Sequence, residues 1–324
     1  MMMPATSKSS MPAMESSKQR LISILHTMAE SSSTFLSLVR QMRVYQWVKN
    51  LLLIVPLALA HRTGDPEALF ACIWGIVAFS LVASSVYIVN DISDIEHDRA
   101  HPRKRFRPLA SGAISLPLAW SVVAVCVVAA SAICAMVMPQ SFTLWLVTYA
   151  VATTAYSFVL KRIALIDVIA LAGLYALRIA AGGAAASVEV SPWLLGFSLF
   201  LFMSLAFLKR YAELRDTIER EGTHVSGRGY HVGDAEFVLM AGTALGFVAV
   251  LVFTLYVNGP QVQTLYRHPY RMWLIAPCLV YWVSHLWLTA HRGGMHDDPI
   301  VFAARDKHSW AVGAAIAAIA VAAT

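Results

Sequence analysis

Asn90, Asp94 and Asp98 recur every four residues in the segment Asn90-Asp-Ile-Ser-Asp-Ile-Glu-His-Asp98. On an α-helix that spacing stacks three oxygen-bearing side chains along one face. Such a stripe repels itself unless something cationic neutralises it. Mg2+ is the natural candidate, because it takes carboxylate and phosphate oxygens together. Asp94 and Asp98 are therefore candidate catalytic residues and metal ligands, with Asn90 as a third ligand. Asp91 points about 100° away from the stripe and reads as a supporting member of the same metal and catalytic set. The alternative is a solvated helix end balanced by the arginines that follow. Asp is unfavourable inside helices and costly at a membrane edge, so the gathering suggests a chemical role.

The next segment, His101-Pro-Arg-Lys-Arg-Phe-Arg-Pro-Leu-Ala-Ser-Gly112, is strongly basic. A basic loop beside a carboxylate-bound metal is an arrangement for a phosphorylated substrate, with Arg103 and Arg107 as candidate contacts. Lys49, Lys161, Lys209, Arg210 and Arg228 stand at helix ends or in adjoining loops. They either meet phosphates or only anchor the chain in the membrane. Arg178 is different, since it falls inside an apolar stretch, where an ionisable residue is a functional candidate by default. Asp167 lies 11 residues earlier on the same stretch. It shares nearly the same helix face but sits about 16 Å away along the axis, so the two cannot pair directly. Gly227-Arg-Gly-Tyr-His231 puts glycines beside Arg228. That permits close backbone approach to a phosphate, and an ordinary flexible loop fits it as well.

These residues sit in a chain made for lipid. Of 324 residues 58% are hydrophobic and 14% charged, with mean hydropathy +0.62. A soluble domain carries roughly a quarter charged residues. Ala113 to Met138 contains no charged residue, and neither does Val190 to Leu208. A bilayer core needs roughly 20 apolar residues. Spans are expected near 48–60, 68–91, 114–138, 140–160, 164–185, 191–208, 235–257, 272–290 and 309–324, which makes an all-α integral membrane protein of about nine transmembrane helices. Pro56 suggests a kink or a re-entrant entry in the first. Residues 1–18 are rich in Met, Ser and Pro, and Leu21 to Arg43 reads as an amphipathic surface helix or a disordered lead-in. Cys72, Cys126, Cys134 and Cys278 all lie in apolar stretches and read as small buried hydrophobes.

Of the 25 Lys and Arg, all but Arg62, Arg267, Arg271 and Arg178 fall in the N-terminal segment or the even-numbered loops. The positive-inside rule then makes those segments, and the aspartate stripe with them, cytoplasmic. Carboxylates gathered at one membrane face, away from the midplane, argue against an ion pathway.

The combination Asn90-Asp-x-x-Asp94-x-x-x-Asp98 followed by Arg107-Pro-Leu-Ala-Ser-Gly112 resembles the first aspartate-rich motif of the UbiA prenyltransferase superfamily. Arg43-Val-Tyr-Gln-Trp-Val-Lys-Asn50 and Lys209-Arg-Tyr-Ala-Glu-Leu214 resemble motifs of its decaprenyl-phosphate phosphoribosyltransferase branch, and Tyr156-Ser-Phe-Val-Leu-Lys161 is also similar. The resemblance runs from about Arg43 to near the C-terminus and implies a nine-helix UbiA bundle. It adds Asn50, Tyr211 and Glu213 to the substrate-binding candidates Lys49, Arg103, Arg107, Lys161, Asp167, Arg178, Lys209, Arg210 and Arg228. Aromatic prenyltransferases of the superfamily usually carry a second Asp-x-x-x-Asp cluster. This chain has only Glu213 and Asp216 there, which suits a substrate held more by cations.

The resemblance implies a Mg2+-dependent transferase that moves 5-phosphoribosyl from phosphoribosyl pyrophosphate to a polyprenyl phosphate. The alternative is transfer of a prenyl group from a prenyl diphosphate to an aromatic or other acceptor. Residues 1–42 are expected to be a lead-in and 43–324 the catalytic domain, set in the cell membrane with a cytoplasmic site. The expected partners are the lipid substrate, phosphoribosyl pyrophosphate and the bilayer, with no nucleic acid.

Overall fold

The computed structural model describes residues 34–100, 104–220, 228–295 and 298–324, and among them there is no β-strand element. Residues 34–41 form α1, and residues 42 and 43 a turn; the expectations for residues 1–33 lie outside the described residues. A 3-10 segment Val44–Ile54 runs into a short α-helix Val55–Leu59, together α2. The chain continues through α3 (Pro66–Ser93), α4 (Ile95–Ala100), α5 (Leu116–Met136), α6 (Gln140–Phe158), α7 (Ile166–Ala186) and α8 (Pro192–Glu219). It closes with α9 (Ala235–Val257), α10 (Pro260–Leu265), α11 (Ile275–His291), α12 (Pro299–Ala303) and α13 (Lys307–Ala323).

Each of the nine expected spans has a helical counterpart, but among the described residues six helices are long and apolar enough to cross a membrane by length and composition. Those are α3, α5, α7, α8, and the segments Val232–Val257 and Pro269–His291. α2 and α13 are shorter apolar helices. α6 has 19 residues, but Thr143, Thr148, Thr153 and Thr154 dilute its apolar character. Nine is thus an approximate count, and the integral membrane character stands. Large apolar side chains with no protein partner fit lipid as their solvent: on α5, Val125, Val128 and Met136 are 67%, 68% and 84% exposed.

The chain divides into two compact units. The first takes in the described residues through Val44 together with Tyr87–Val123. Its core is Ile88, Leu109, Ile114 and Ala119, with Leu38 and Met42 of the N-terminal segment packed on them. The second unit is Tyr45–Val86 with Ala124–Thr324. Its main core joins α7, α8, α9 and α11 around Tyr175, Phe202, Leu205, Phe207, Leu214 and Trp287. Helix starts are set locally: Pro192 follows Ser191, whose side chain accepts from Leu194 N at 3.1 Å. Cys72 and Cys126 are buried as expected, whereas Cys134 and Cys278 are only half-buried.

One contact within the second unit fixes α2 against α7. Gly182 on α7 meets the backbone of Leu53: a Cβ there would fall 2.1 Å from the Leu53 carbonyl oxygen. Only glycine permits that approach. One turn earlier on the same face stands Arg178, whose Nε donates to Asn50 of α2 at 2.9 Å.

Candidate active site

The aspartate stripe belongs to the first unit. The helix is interrupted at Asp94, yet its hydrogen-bond ladder continues: Asp94 N donates to Asn90 O at 3.0 Å and Asp98 N to Asp94 O at 2.8 Å. The four-residue stacking read from the sequence is therefore kept. Asn90 Nδ2 donates to Asp94 Oδ2 at 3.1 Å. Asp98 is buried and Asn90 and Asp94 are half-buried.

Asp91 has a different setting. It is 3% exposed. Its carboxylate accepts from Arg43 at 2.6 Å, from Gln41 at 2.9 Å and from Arg107 at 3.1 Å. Arg107 also donates to Asp98 at 2.6 Å, while Arg43 lies over the Tyr87 ring at 4.9 Å. Two guanidinium groups thus neutralise Asp91 and tie the N-terminal segment and the basic loop to the end of α3. Arg43 itself has a left-handed φ of 53°, a conformation that costs energy away from glycine and persists where surrounding contacts impose it. Arg103 lies outside the described residues.

Among the described residues no three His, Cys, Asp or Glu side chains converge into a metal cage. The donor set of Asn90, Asp94 and Asp98 is still one that Mg2+ accepts. Mg2+ is commonly held by one or two carboxylates and completed by water and substrate phosphate. The residues fit a metal shared with a phosphorylated substrate.

The second unit carries two basic clusters. In one, Lys49 Nζ and Lys209 Nζ both meet Asp298 Oδ2, at 2.8 and 3.2 Å. Lys49 is buried and lies 5.7 Å from the centre of the Tyr175 ring. Asp298 Oδ1 accepts from Ile300 N at 3.2 Å and so caps α12. Burial pushes the Asp298 carboxyl up, but the ammonium groups of Lys209 and Lys49 more than reverse this and hold it well below the usual carboxylate range.

In the other, Arg210 is 1% exposed. Its Nε pairs with Asp167 Oδ2 at 2.7 Å, a second nitrogen pairs with Glu213, and its third donates to Tyr156 Oη at 3.3 Å. Arg228 donates to the same phenol at 3.1 Å and to the Lys161 carbonyl at 3.4 Å, with Glu213 3.9 Å away. Tyr230 donates to Asp167 Oδ1 at 2.8 Å and accepts from Leu165 N at 2.9 Å. Leu165 is the second functional-region residue with a positive φ, 66°. Gly229 makes the loop's approach possible, since a Cβ there would lie 2.7 Å from the Arg162 carbonyl oxygen. Asp167 and Glu213 are thus engaged by Arg210. Lys161 lies in the short turn Leu160–Arg162.

Among the described residues Arg178 gathers neutral partners: Asn50 at 2.9 Å, the Leu174 carbonyl at 2.6 Å, the Tyr149 phenol at 2.8 Å, and the faces of Tyr149 and Tyr175. It does not pair with Asp167, as the helix spacing requires. Tyr211 is buried but turned to His291, with 3.1 Å between its phenol and Nδ1. Tyr149, Tyr156, Tyr175, Tyr230 and Asp298 were not singled out as site residues from sequence. A tyrosine inside an apolar stretch reads as an aromatic filler, and only its partners show otherwise.

A cavity of about 860 Å³ also lies in the second unit. Leu52, Val55 and Leu59 of α2 line it, as do Leu194, Leu201 and Leu205 of α8 and Ile300 of α12. Three helices that wall this apolar groove carry the first basic cluster at one end. Lys209 stands one helical turn beyond Leu205, Lys49 one 3-10 turn before Leu52, and Asp298 two residues before Ile300.

Comparison with known proteins places this geometry. Residues 51–303 match the UbiA prenyltransferase family. The nodulation protein NoeC of Azorhizobium caulinodans is 33% identical over 281 residues, covering 85% of this chain and 89% of that protein. An uncharacterized protein of Sinorhizobium fredii, y4nM, is 39% identical over 279 residues. That alignment covers 86% of this chain but 54% of y4nM, so the chain spans about half the length of that relative. The decaprenyl-phosphate phosphoribosyltransferase of Mycobacterium tuberculosis is 39% identical over 191 residues, 58% of this chain and 63% of that one. Among solved structures, a UbiA homolog from Archaeoglobus fulgidus bound to GPP and Mg2+ shares the fold, with a TM-score of 0.64 at 17% identity over 89% of this chain and 99% of that one. The family match spans most of the sequence, a relative aligns over most of both chains, and the helical fold is shared: this chain belongs to the UbiA prenyltransferase family.

Proposed function

We propose that this chain is a Mg2+-dependent membrane transferase that moves the 5-phosphoribosyl group from phosphoribosyl pyrophosphate to a polyprenyl phosphate. The observation that carries the reading is the apolar groove whose walls bear Lys49 and Lys209 about one turn beyond the lining residues Leu52 and Leu205. It suits a long apolar tail with an anionic head. The engagement of Asp167 and Glu213 by Arg210 supports the same reading. The second unit then offers cations, and not a free carboxylate pair, to a donor rich in phosphate. The similarity to the phosphoribosyltransferase of Mycobacterium tuberculosis adds support over the part of the chain it covers.

Each group has a role in this reaction. Asn90, Asp94 and Asp98 would hold the metal, which would neutralise charge on the pyrophosphate. Arg107 orients Asp98, and Asp91 with Arg43 fixes Arg107 in turn. Arg228 and Lys161, with the Tyr156 phenol, meet the donor's phosphate. Lys49 and Lys209 hold the lipid phosphate. The C1–O bond to pyrophosphate breaks and its electron pair leaves with the pyrophosphate. A lipid phosphate oxygen then forms the new bond at C1. That oxygen is already anionic, so no side chain has to remove a proton, and catalysis is positioning and charge stabilisation. The charge asymmetry of the loops supports a site at the cytoplasmic face of the cell membrane, and residues 43–324 would form the catalytic domain.

A second reading draws on the fold shared with the homolog bound to GPP and Mg2+: a prenyl diphosphate donor seated in the same groove. One experiment decides. Purified protein receives radiolabelled phosphoribosyl pyrophosphate with polyprenyl phosphate and, separately, a labelled prenyl diphosphate with aromatic acids. Label from the ribose donor is expected in the lipid fraction. Prenyl transfer without ribose transfer would overturn the proposal.

A further inference from the structure

We propose that Asp298 is a charge filter that makes the groove's polar end prefer a lipid monophosphate over a lipid diphosphate. The inference rests on the reading of the groove as the seat of a phosphorylated lipid. Lys49 and Lys209 would by themselves offer two positive charges. Asp298 places one carboxylate oxygen against both, at 2.8 and 3.2 Å, and leaves a single net positive charge. The carboxylate is held in place, because its other oxygen caps α12 through Ile300 N. The Lys49 and Asp298 side chains are only 8% and 10% exposed, so water does little to screen them.

An anion arriving at this end meets two attractive charges and one repulsive charge at contact distance. A phosphate monoester carries about 1.5 to 2 negative charges near neutral pH. A diphosphate adds further negative charge and a second phosphoryl group. The added charge meets Asp298 as well as the lysines, and the added phosphoryl competes for the place that Asp298 Oδ2 occupies between the two Nζ atoms. The lysines alone would reward more negative charge, and Asp298 cancels part of that reward. The carboxylate thus separates an acceptor such as polyprenyl phosphate from lipid diphosphates of the same tail, without touching the tail.

The test uses the full chain in detergent with EDTA, so that metal bound to the lipid headgroup does not alter its charge. Affinities for farnesyl monophosphate and farnesyl diphosphate are measured by calorimetry on the wild type, D298N and K49Q. Asn caps helices about as well as Asp and has nearly the same shape, so D298N removes the charge and keeps the cap. The wild type is expected to favour the monophosphate. D298N should shift the mono-to-diphosphate ratio toward the diphosphate by about tenfold or more. K49Q lowers the local charge and should shift the ratio the other way. A wild type that binds neither lipid, or prefers the diphosphate, overturns the phosphate-acceptor reading and the filter together. A wild type that prefers the monophosphate, with a ratio indifferent to D298N or moved the same way by both variants, overturns the filter alone.

Discussion

Arg178 Nε donates to Asn50 Oδ1 at 2.9 Å, and Asn50 Nδ2 passes the chain on to Ser80 Oγ at 2.9 Å. A buried guanidinium in an apolar helix thereby holds the residue next to Lys49, with no carboxylate among its partners in the described residues. Its charge is met by dipoles and ring faces, an arrangement that a planar five-donor group makes well and an ammonium does not. Arg178→Lys is expected to lower stability by about 1–3 kcal/mol and to raise KM for the lipid phosphate while leaving KM for the donor unchanged. Thermal unfolding with two-substrate kinetics checks it. Unaltered lipid KM in a destabilised variant would show that Arg178 only holds the fold.

Asp94 is the central member of the stripe. Asp94→Ala should abolish turnover and leave a folded, membrane-inserted protein, since the residue is half-buried and outside the core of the first unit. Activity is followed against Mg2+ concentration. Near-full turnover at limiting Mg2+ would exclude the stripe as the metal site.

Asp91 should fail differently from Asp94, although both lie in the same motif. Removing its charge leaves Arg43 and Arg107 without their shared partner, and breaking a buried pair typically costs about 3–5 kcal/mol. Both arginines are partly exposed here, 21% and 29%, so the lower part of that range is expected for Asp91→Asn. The variant should melt earlier, with the Mg2+ concentration for half-maximal activity unchanged in the folded fraction. A rise in that concentration without loss of stability would make Asp91 a metal ligand.

The stripe and the apolar spans were legible in the sequence because both are local. Spacing by four survives the interruption at Asp94, and hydropathy needs no partner to be counted. The rest depends on contacts between distant segments. Lys49 and Asp298 are separated by 249 positions and Arg43 and Asp91 by 48, so no periodicity joins them. The role of Asp298 required seeing which lysines reach it. Asp167 and Arg178 could be shown not to pair from helix rise alone, whereas the identity of their partners, Arg210 and Asn50, could not. Tyr156 opens a segment singled out for its resemblance, yet the phenol shared by two arginines depends on Arg210 and Arg228, 54 and 72 positions away.

The shared phenol gives its own expectation. Tyr156 Oη accepts from Arg210 and Arg228, at 3.3 and 3.1 Å. Tyr156→Phe keeps the ring under Arg228 and removes the acceptor. Hydrogen bonds to charged groups are worth about 1.5–3 kcal/mol. Arg210 keeps its two carboxylates, so the loss should fall on Arg228 and appear as a raised KM for the donor. An unchanged donor KM would place Arg228 away from the substrate.

The two basic clusters should divide the substrates between them. Lys209 stands at the end of the apolar groove with Lys49, whereas Arg228 belongs to the group around Tyr156 and Lys161. If the lipid phosphate meets the first and the ribose donor the second, single substitutions will separate in kinetics. Losing one charge-assisted phosphate contact costs about 1.5–3 kcal/mol, or roughly ten- to hundredfold in affinity. Lys209→Ala should therefore raise KM for polyprenyl phosphate by that factor and spare the donor. Arg228→Gln should raise KM for phosphoribosyl pyrophosphate and spare the lipid. Ribose 5-phosphate, which lacks the leaving group, should compete weakly with the donor in the wild type and lose that competition in Arg228→Gln. Both variants weakening the same substrate would refute the division. Protection of the wild type by a prenyl diphosphate and not by ribose 5-phosphate would refute the phosphoribosyl donor and leave the family membership intact.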